Sequence, residues 1–158
     1  MHRPKGFSLI ELLIVVAIIL IIAAIAVPSF IHSRIAANEA AAAAALRTVN
    51  TAQISYNSAY PTAGFASSLA ALGGATCAAP SSTGACLIDQ VLAGGQRSGY
   101  SFVLTNVSGS PASSYNVIAS PILSNYSGVR NFCSFEDAVL RASMAAITTC
   151  DASIIPQQ

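Results

Sequence analysis

The sequence predicts an α+β protein: one long N-terminal helix, with a transmembrane half and an amphipathic half, packed on a small antiparallel β-sheet head. Three observations carry this reading. From Phe7 to Val27 every residue except Ser8 and Glu11 is apolar. The chain then continues into an alanine-rich stretch with apolar residues at helical spacing. Between residues 99 and 135, apolar and polar residues alternate in short runs broken by Gly, Ser and Pro. The expected organisation is a leader at 1–6, a membrane or filament-core helix at 7–28, a helix continuing into the head at 29–57, and a globular head at 58–158.

Composition narrows the function classes. Of 158 residues, 54% are hydrophobic and 8% charged, against about 25% charged in an ordinary soluble domain. Disordered chains are polar and highly charged, so disorder is excluded. The formal net charge is +1, with 7 Lys plus Arg, which disfavours nucleic acid as a direct ligand.

The first element is the apolar run. A helix over Phe7–Val27 spans about 31 Å at about 1.5 Å per residue, the thickness of a bilayer core. Arg3 and Lys5 precede it, so the positive-inside rule leaves the first residues in the cytoplasm and the rest of the chain beyond Pro28 on the far side. An ordinary secretory signal is the competing reading. Ala24-Ile25-Ala26 would then be the cleavage site, and a soluble, disulfide-stabilised binding domain would be released from Val27.

Glu11 separates the two. A carboxylate at mid-bilayer costs about 2.5–3.5 kcal/mol, less near a helix end. Neither a plain anchor nor a cleaved signal gains from it. A cut between Gly6 and Phe7 would create an α-amino group at Phe7, with an ordinary pKa near about 8. That cation would lie one helical turn from Glu11, or beside Glu11 of a neighbouring chain.

These residues resemble the type IV pilins and their pseudopilin relatives. The resemblance rests on Lys5-Gly6-Phe7-Ser8-Leu9-Ile10-Glu11-Leu12-Leu13-Ile14-Val15-Val16 and on Ile25-Ala26-Val27-Pro28-Ser29-Phe30, about a fifth of the chain. It implies a prepilin peptidase that cuts after Gly6 and N-methylates Phe7. It implies an inner-membrane precursor with its head outside the cytoplasm, contacting lipid and an inner-membrane assembly platform. It then implies a homopolymer held together by the N-terminal helix, as an extracellular pilus or a periplasmic type II secretion pseudopilus. Within that frame Glu11 sets register by pairing with a neighbour's Phe7 amine, and Pro28 bends the shaft.

Pro28 should kink or locally melt the helix. The pattern beyond it argues against a stop, because alanine is the best helix former and Ile35, Ala42, Leu46, Val49 and Tyr56 recur on one face. The helix should run to about Asn57. Arg34, Glu39 and Arg47 are expected to be solvated or inter-subunit charges. In the head, helical turns are expected at Phe65–Leu72 and Leu87–Leu92. Strands are expected from Tyr100, over Tyr115–Ala119 and over Val129–Phe135, forming a meander.

The four cysteines, Cys77, Cys86, Cys133 and Cys150, allow three pairings. Local loop closure favours Cys77–Cys86 and Cys133–Cys150 in an oxidising compartment. The resemblance adds that a C-terminal disulfide loop is common in pilins; the first pair rests on spacing alone. Zinc is disfavoured, since no Cys-x-x-Cys occurs and the histidines are His2 and His32. Calcium at Glu136, Asp137 and Asp151 is a weak alternative to a solvated acidic face. Asn106-Val107-Ser108 and Asn125-Tyr126-Ser127 match the short glycosylation pattern. Gly94-Gly95-Gln96-Arg97-Ser98-Gly99 lacks a phosphate-loop lysine, the head lacks a histidine for a serine triad, and core packing accounts for the aromatics. No catalytic residues, metal or cofactor are expected, and the chain is read as structural and not as an enzyme.

Overall fold

The computed structural model describes residues 7–74, 77 and 79–157. Helix α1 spans Leu9–Ala59. It is followed by two single-turn helices, α2 (Leu69–Leu72) and α3 (Gln90–Ala93). The strands are β1 (Gln96–Arg97), β2 (Tyr100–Gly109), β3 (Ala112–Pro121), β4 (Asn131–Phe135) and β5 (Arg141–Ser143). They pair in chain order, each antiparallel to the next. This is the expected α+β architecture and the expected meander. The chain divides into two compact units between Arg34 and Ile35, inside α1.

α1 is one uninterrupted helix in which Pro28 is an internal residue. The local melting that a missing N–H could cause does not occur. On the far side of Arg34 the helix buries one stripe: Ala42, Leu46, Val49 and Tyr56, as the sequence predicts, with Ala45, Ala52 and Gln53 between them, whereas Ile35 of the predicted stripe is only half-buried. Against the stripe pack Tyr100, Phe102, Tyr115, Val117, Ala119 and Phe132, all buried in one core. Alternation along β3 sends Tyr115, Val117 and Ala119 to this core and Asn116 and Ile118 to the opposite face.

Two turns are shorter than expected, and their caps give the reason. Ser68 accepts a hydrogen bond from the Ala71 amide and Asp89 from the Leu92 amide, so α2 and α3 begin just after these residues. β5 and β1 were not expected, β3 begins three residues early at Ala112, and β4 begins at Asn131.

Glu39 corrects the reading of a solvated charge. It is buried, and its Oε1 accepts hydrogen bonds from the amides of Val129 (2.9 Å) and Arg130 (3.0 Å). The Arg130 Nε donates to its Oε2 at 2.7 Å. Asn38 donates to the Ser127 carbonyl at 2.9 Å, and Tyr100 donates to the Arg130 carbonyl at 2.8 Å. Together they pin the segment before β4 to α1. Burial raises the Glu39 carboxyl, but the two amides and the guanidinium outweigh it and hold the group below its ordinary value. The sign of the linkage follows. A carboxyl depressed in the folded state contributes stability fully above its unfolded pKa of 4.5 and loses that contribution as pH falls through the lower folded value. Glu39→Gln should therefore destabilise the head by about 2–3 kcal/mol at pH 7. The gap to wild type should close as pH falls below about 4.5. Urea unfolding midpoints at pH 7 and pH 3 check this; an equal gap at both would contradict it.

Candidate assembly segment

The N-terminal part of α1 carries the residues that the sequence singles out. Phe7 precedes the helix and is exposed, as are Leu9, Ile10, Leu12, Leu13 and the large apolar residues on to Phe30. Among the described residues this is one helix long and apolar enough to cross a membrane, and none of its apolar stretch is covered. An apolar surface on this scale is not left in water; it is suited to lipid or to other helices.

The helix start is built by Ser8 and Glu11. The Ser8 amide donates to the Glu11 Oε2 at 2.9 Å. The Leu12 amide turns back to the Ser8 carbonyl at 3.3 Å. Ser8-x-x-Glu11 thus supplies the carboxylate half of a capping box, and Glu11 also sits at the positive end of the helix dipole. This corrects the view that a plain anchor gains nothing from Glu11: the acid has a partner within its own chain. The spacing was visible in the sequence. The Phe7 and Glu11 positions lie one turn apart, so a charged amine at Phe7 would meet a carboxylate already turned toward the helix start. Gly6 lies outside the described residues, as do Arg3 and Lys5.

The head is closed by two disulfides, Cys77–Cys86 and Cys133–Cys150, with Cα separations of 5.7 and 5.8 Å. The first holds the loop after α2, where the Cys86 amide donates to the Gly73 carbonyl. The second is buried under Ile118 and ties the C-terminal segment across β4. That segment then borders β5: the Ala142 amide donates to the Ile155 carbonyl and the Gln157 amide to the Leu140 carbonyl.

The remaining candidates do not converge. Asp137 pairs with Arg141 at 2.6 Å. Burial raises the Asp137 carboxyl, and its bonds to Arg141 and the Val139 amide overcome this and lower it. Asp151 is exposed and accepts from the Ser153 amide at 2.8 Å. Glu136 is exposed. Asn106, at an irregularity within β2, and Asn125, in a turn, are exposed with left-handed backbone, φ 51° and 62°. Arg47 is exposed on α1. The buried amides Asn50 and Gln53 were missed because the apolar stripe hides them. Asn50 bonds Ser134 and Tyr115, and Gln53 bonds both polar groups of the Ala66 backbone.

Residues 1–27 match the family model described as the prokaryotic N-terminal methylation motif. The chain is similar to the type IV major pilin protein PilA of Myxococcus xanthus (strain DK1622), with 50% identity over 54 residues. That match covers 34% of this chain and 24% of the relative, so the chain spans about a quarter of the length of the curated relative it matches. No solved structure matches. Over its N-terminal third the chain is thus similar to a type IV major pilin and carries the N-terminal methylation motif, and its long helix and α+β head with two disulfides are consistent with a pilin-like architecture.

Proposed function

We propose that the chain is the structural subunit of a type IV pilus-like filament. It is made as a prepilin, held in the inner membrane by α1 with its head outside the cytoplasm. Prepilin peptidase cuts between Gly6 and Phe7 and methylates the new Phe7 amine, and an inner-membrane assembly platform adds the subunit to a homopolymer. The observation that carries this reading is a carboxylate turned to the start of a wholly uncovered apolar helix.

The energetics are consistent with that sequence of events. Inside lipid, apolar packing gains little, because tails are as apolar as leucine. Once a subunit leaves the bilayer, the alternative to helix packing is water, and the hydrophobic effect applies in full. Leu9 to Val27 then stand to contribute about 1.5 kcal/mol or more per large side chain, reduced by the ordering of each. Glu11 adds register: a subunit slipped by one residue would bury an unpaired charge. Pro28, with no N–H to donate, loosens one helical hydrogen bond at the end of the apolar run.

Shearing cells and sedimenting the released material tests the proposal. The chain should pellet as thin filaments visible by negative-stain microscopy. Recovery only as a soluble domain beginning at Val27 would overturn it and support secretion by ordinary signal cleavage. Filaments confined to the periplasm would redirect it to a secretion pseudopilus.

A further inference from the structure

The turn between β3 and β4 presents large apolar side chains that the head does not use. Ile122, Leu123 and Tyr126 are each more than half exposed. Exposed apolar residues scattered singly are ordinary, but three on one short turn call for an explanation. The turn is firmly built. The Ile122 amide donates to the Gly99 carbonyl and the Asn125 amide to the Gly128 carbonyl, each at 2.9 Å. The Leu123 amide donates to the Ser127 hydroxyl, which donates back to the Leu123 carbonyl, each at 3.0 Å. Beneath the turn the fit is close: a Cβ on Gly99 would meet Ser127, and one on Gly128 would run into the Tyr100 side chain. A satisfied backbone therefore holds the three apolar side chains outward.

The place of the turn in the chain points to what covers it. The Ser127 carbonyl accepts from Asn38, and the Val129 and Arg130 amides, just beyond the turn, donate to Glu39. The turn is thus fastened to the first residues of α1 that belong to the head, a unit that begins at Ile35. Ile31, the last apolar residue before His32, precedes Asn38 by seven residues. As helix that is about 10 Å, little more than the headgroup layer of one leaflet. From Pro121 to Val129 there is no charged residue. At the base, Arg130 and Glu39 neutralise each other at 2.7 Å. Two aliphatic side chains and a tyrosine suit the boundary between headgroups and acyl chains, where tyrosine is enriched.

We propose that this turn is a second membrane contact: in the precursor, Ile122, Leu123 and Tyr126 enter the headgroup layer of the leaflet from which the head emerges. The proposal rests on the reading of α1 as the membrane anchor. So short a tether supplies an effective concentration of about millimolar, and a contact too weak to recruit a free protein then suffices. Lifting a subunit from the bilayer breaks this contact as well as the span.

The chain contains no tryptophan, so one introduced indole reports its own surroundings. Leu123→Trp is prepared as the full chain in phosphatidylcholine nanodiscs, one chain per disc. Val15→Trp is the control in the apolar run. Ile54→Trp is the control in the head, exposed on α1 and about 24 Å along the helix from Asn38. Lipid spin-labelled near the headgroup should quench Leu123→Trp, lipid labelled deep in the acyl chain should quench Val15→Trp, and neither should quench Ile54→Trp. Adding Ile122→Ser to Leu123→Trp should shift the docking equilibrium about tenfold toward release. High salt should change nothing, since no charge makes the contact. Tyr126→Trp repeats the reading should Leu123→Trp disturb the turn. The proposal is overturned if both turn variants respond like Ile54→Trp while Val15→Trp is quenched, a result that leaves the anchor standing. It falls together with the anchor if Val15→Trp is not quenched. A blue shift of the turn variants only at two chains per disc, without quenching, assigns the turn to a second copy and overturns it too.

Discussion

Glu11→Leu is expected to reduce filament yield by well over about tenfold while leaving the precursor in the membrane and the head folded. The direction of each part follows from a different term. Leucine in place of glutamate makes insertion more favourable, by less than the about 2.5–3.5 kcal/mol of a mid-bilayer site because residue 11 lies in the first turn, so poor insertion cannot explain a loss. The head lies beyond Arg34 as a separate compact unit, so its folding is insulated from the change. What disappears is the carboxylate that accepts from the Ser8 amide and faces the helix start. Two roles are then separable with Glu11→Gln. Glutamine can still cap Ser8, and a cap is worth about 1 kcal/mol. It carries no charge with which to form an ion pair with an amine. The account predicts that Glu11→Gln assembles as poorly as Glu11→Leu. Wild-type yield from the glutamine variant would reduce Glu11 to a helix cap. Sheared filament protein per cell, with membrane-fraction blots as the control, reads both outcomes.

Gly64→Ala is expected to be among the most damaging single-methyl additions to the head, about 3 kcal/mol, or a fall in melting temperature of about 10 °C. Gly64 has a φ of 79°, a region that disfavours any residue with a Cβ. It also sits where the chain leaving α1 is stitched to the start of β3. The Phe65 amide donates to the Ala112 carbonyl and the Ala112 amide to the Ala63 carbonyl, each at 2.9 Å. A methyl on Gly64 would run into the Ala112 backbone, which cannot move aside without breaking both bonds. Gly84→Ala is the control. Its nearest neighbour atom would be 3.5 Å away and its φ is ordinary, so it should change stability by less than about 0.5 kcal/mol. Equal effects from the two substitutions would contradict this account of the loop. Thermal unfolding followed by circular dichroism measures both.

Long-period features were the ones the sequence displayed openly. The apolar run, the alanines and the stripe from Ala42 to Tyr56 repeat one physical signal many times, and α1 follows it closely. The alternation at Tyr100–Leu104 likewise marked the central hairpin, and the cysteine spacing suggested the two local loops. What escaped was set by partners distant in sequence. β5 is three residues held by Asn131–Cys133 on one side and bordered by the C-terminal segment on the other, so nothing local announces it. Glu39 looks solvated in a window of alanines; the groups that bury and satisfy it come from residues 129 and 130. At the assembly segment the Ser8-x-x-Glu11 spacing is itself a local signal: the same acid that is costly in a membrane also caps the helix start.

The central claim is that a terminus freed by proteolysis meets Glu11. The measurement closest to it is the intact mass and N-terminal sequence of the subunit taken from purified filaments. The account predicts a chain that starts at Phe7, lacks Met1 to Gly6, and carries one methyl group on its α-amine. A polymerised subunit that still holds those six residues would contradict it, because no new amine would then exist for the carboxylate to pair with.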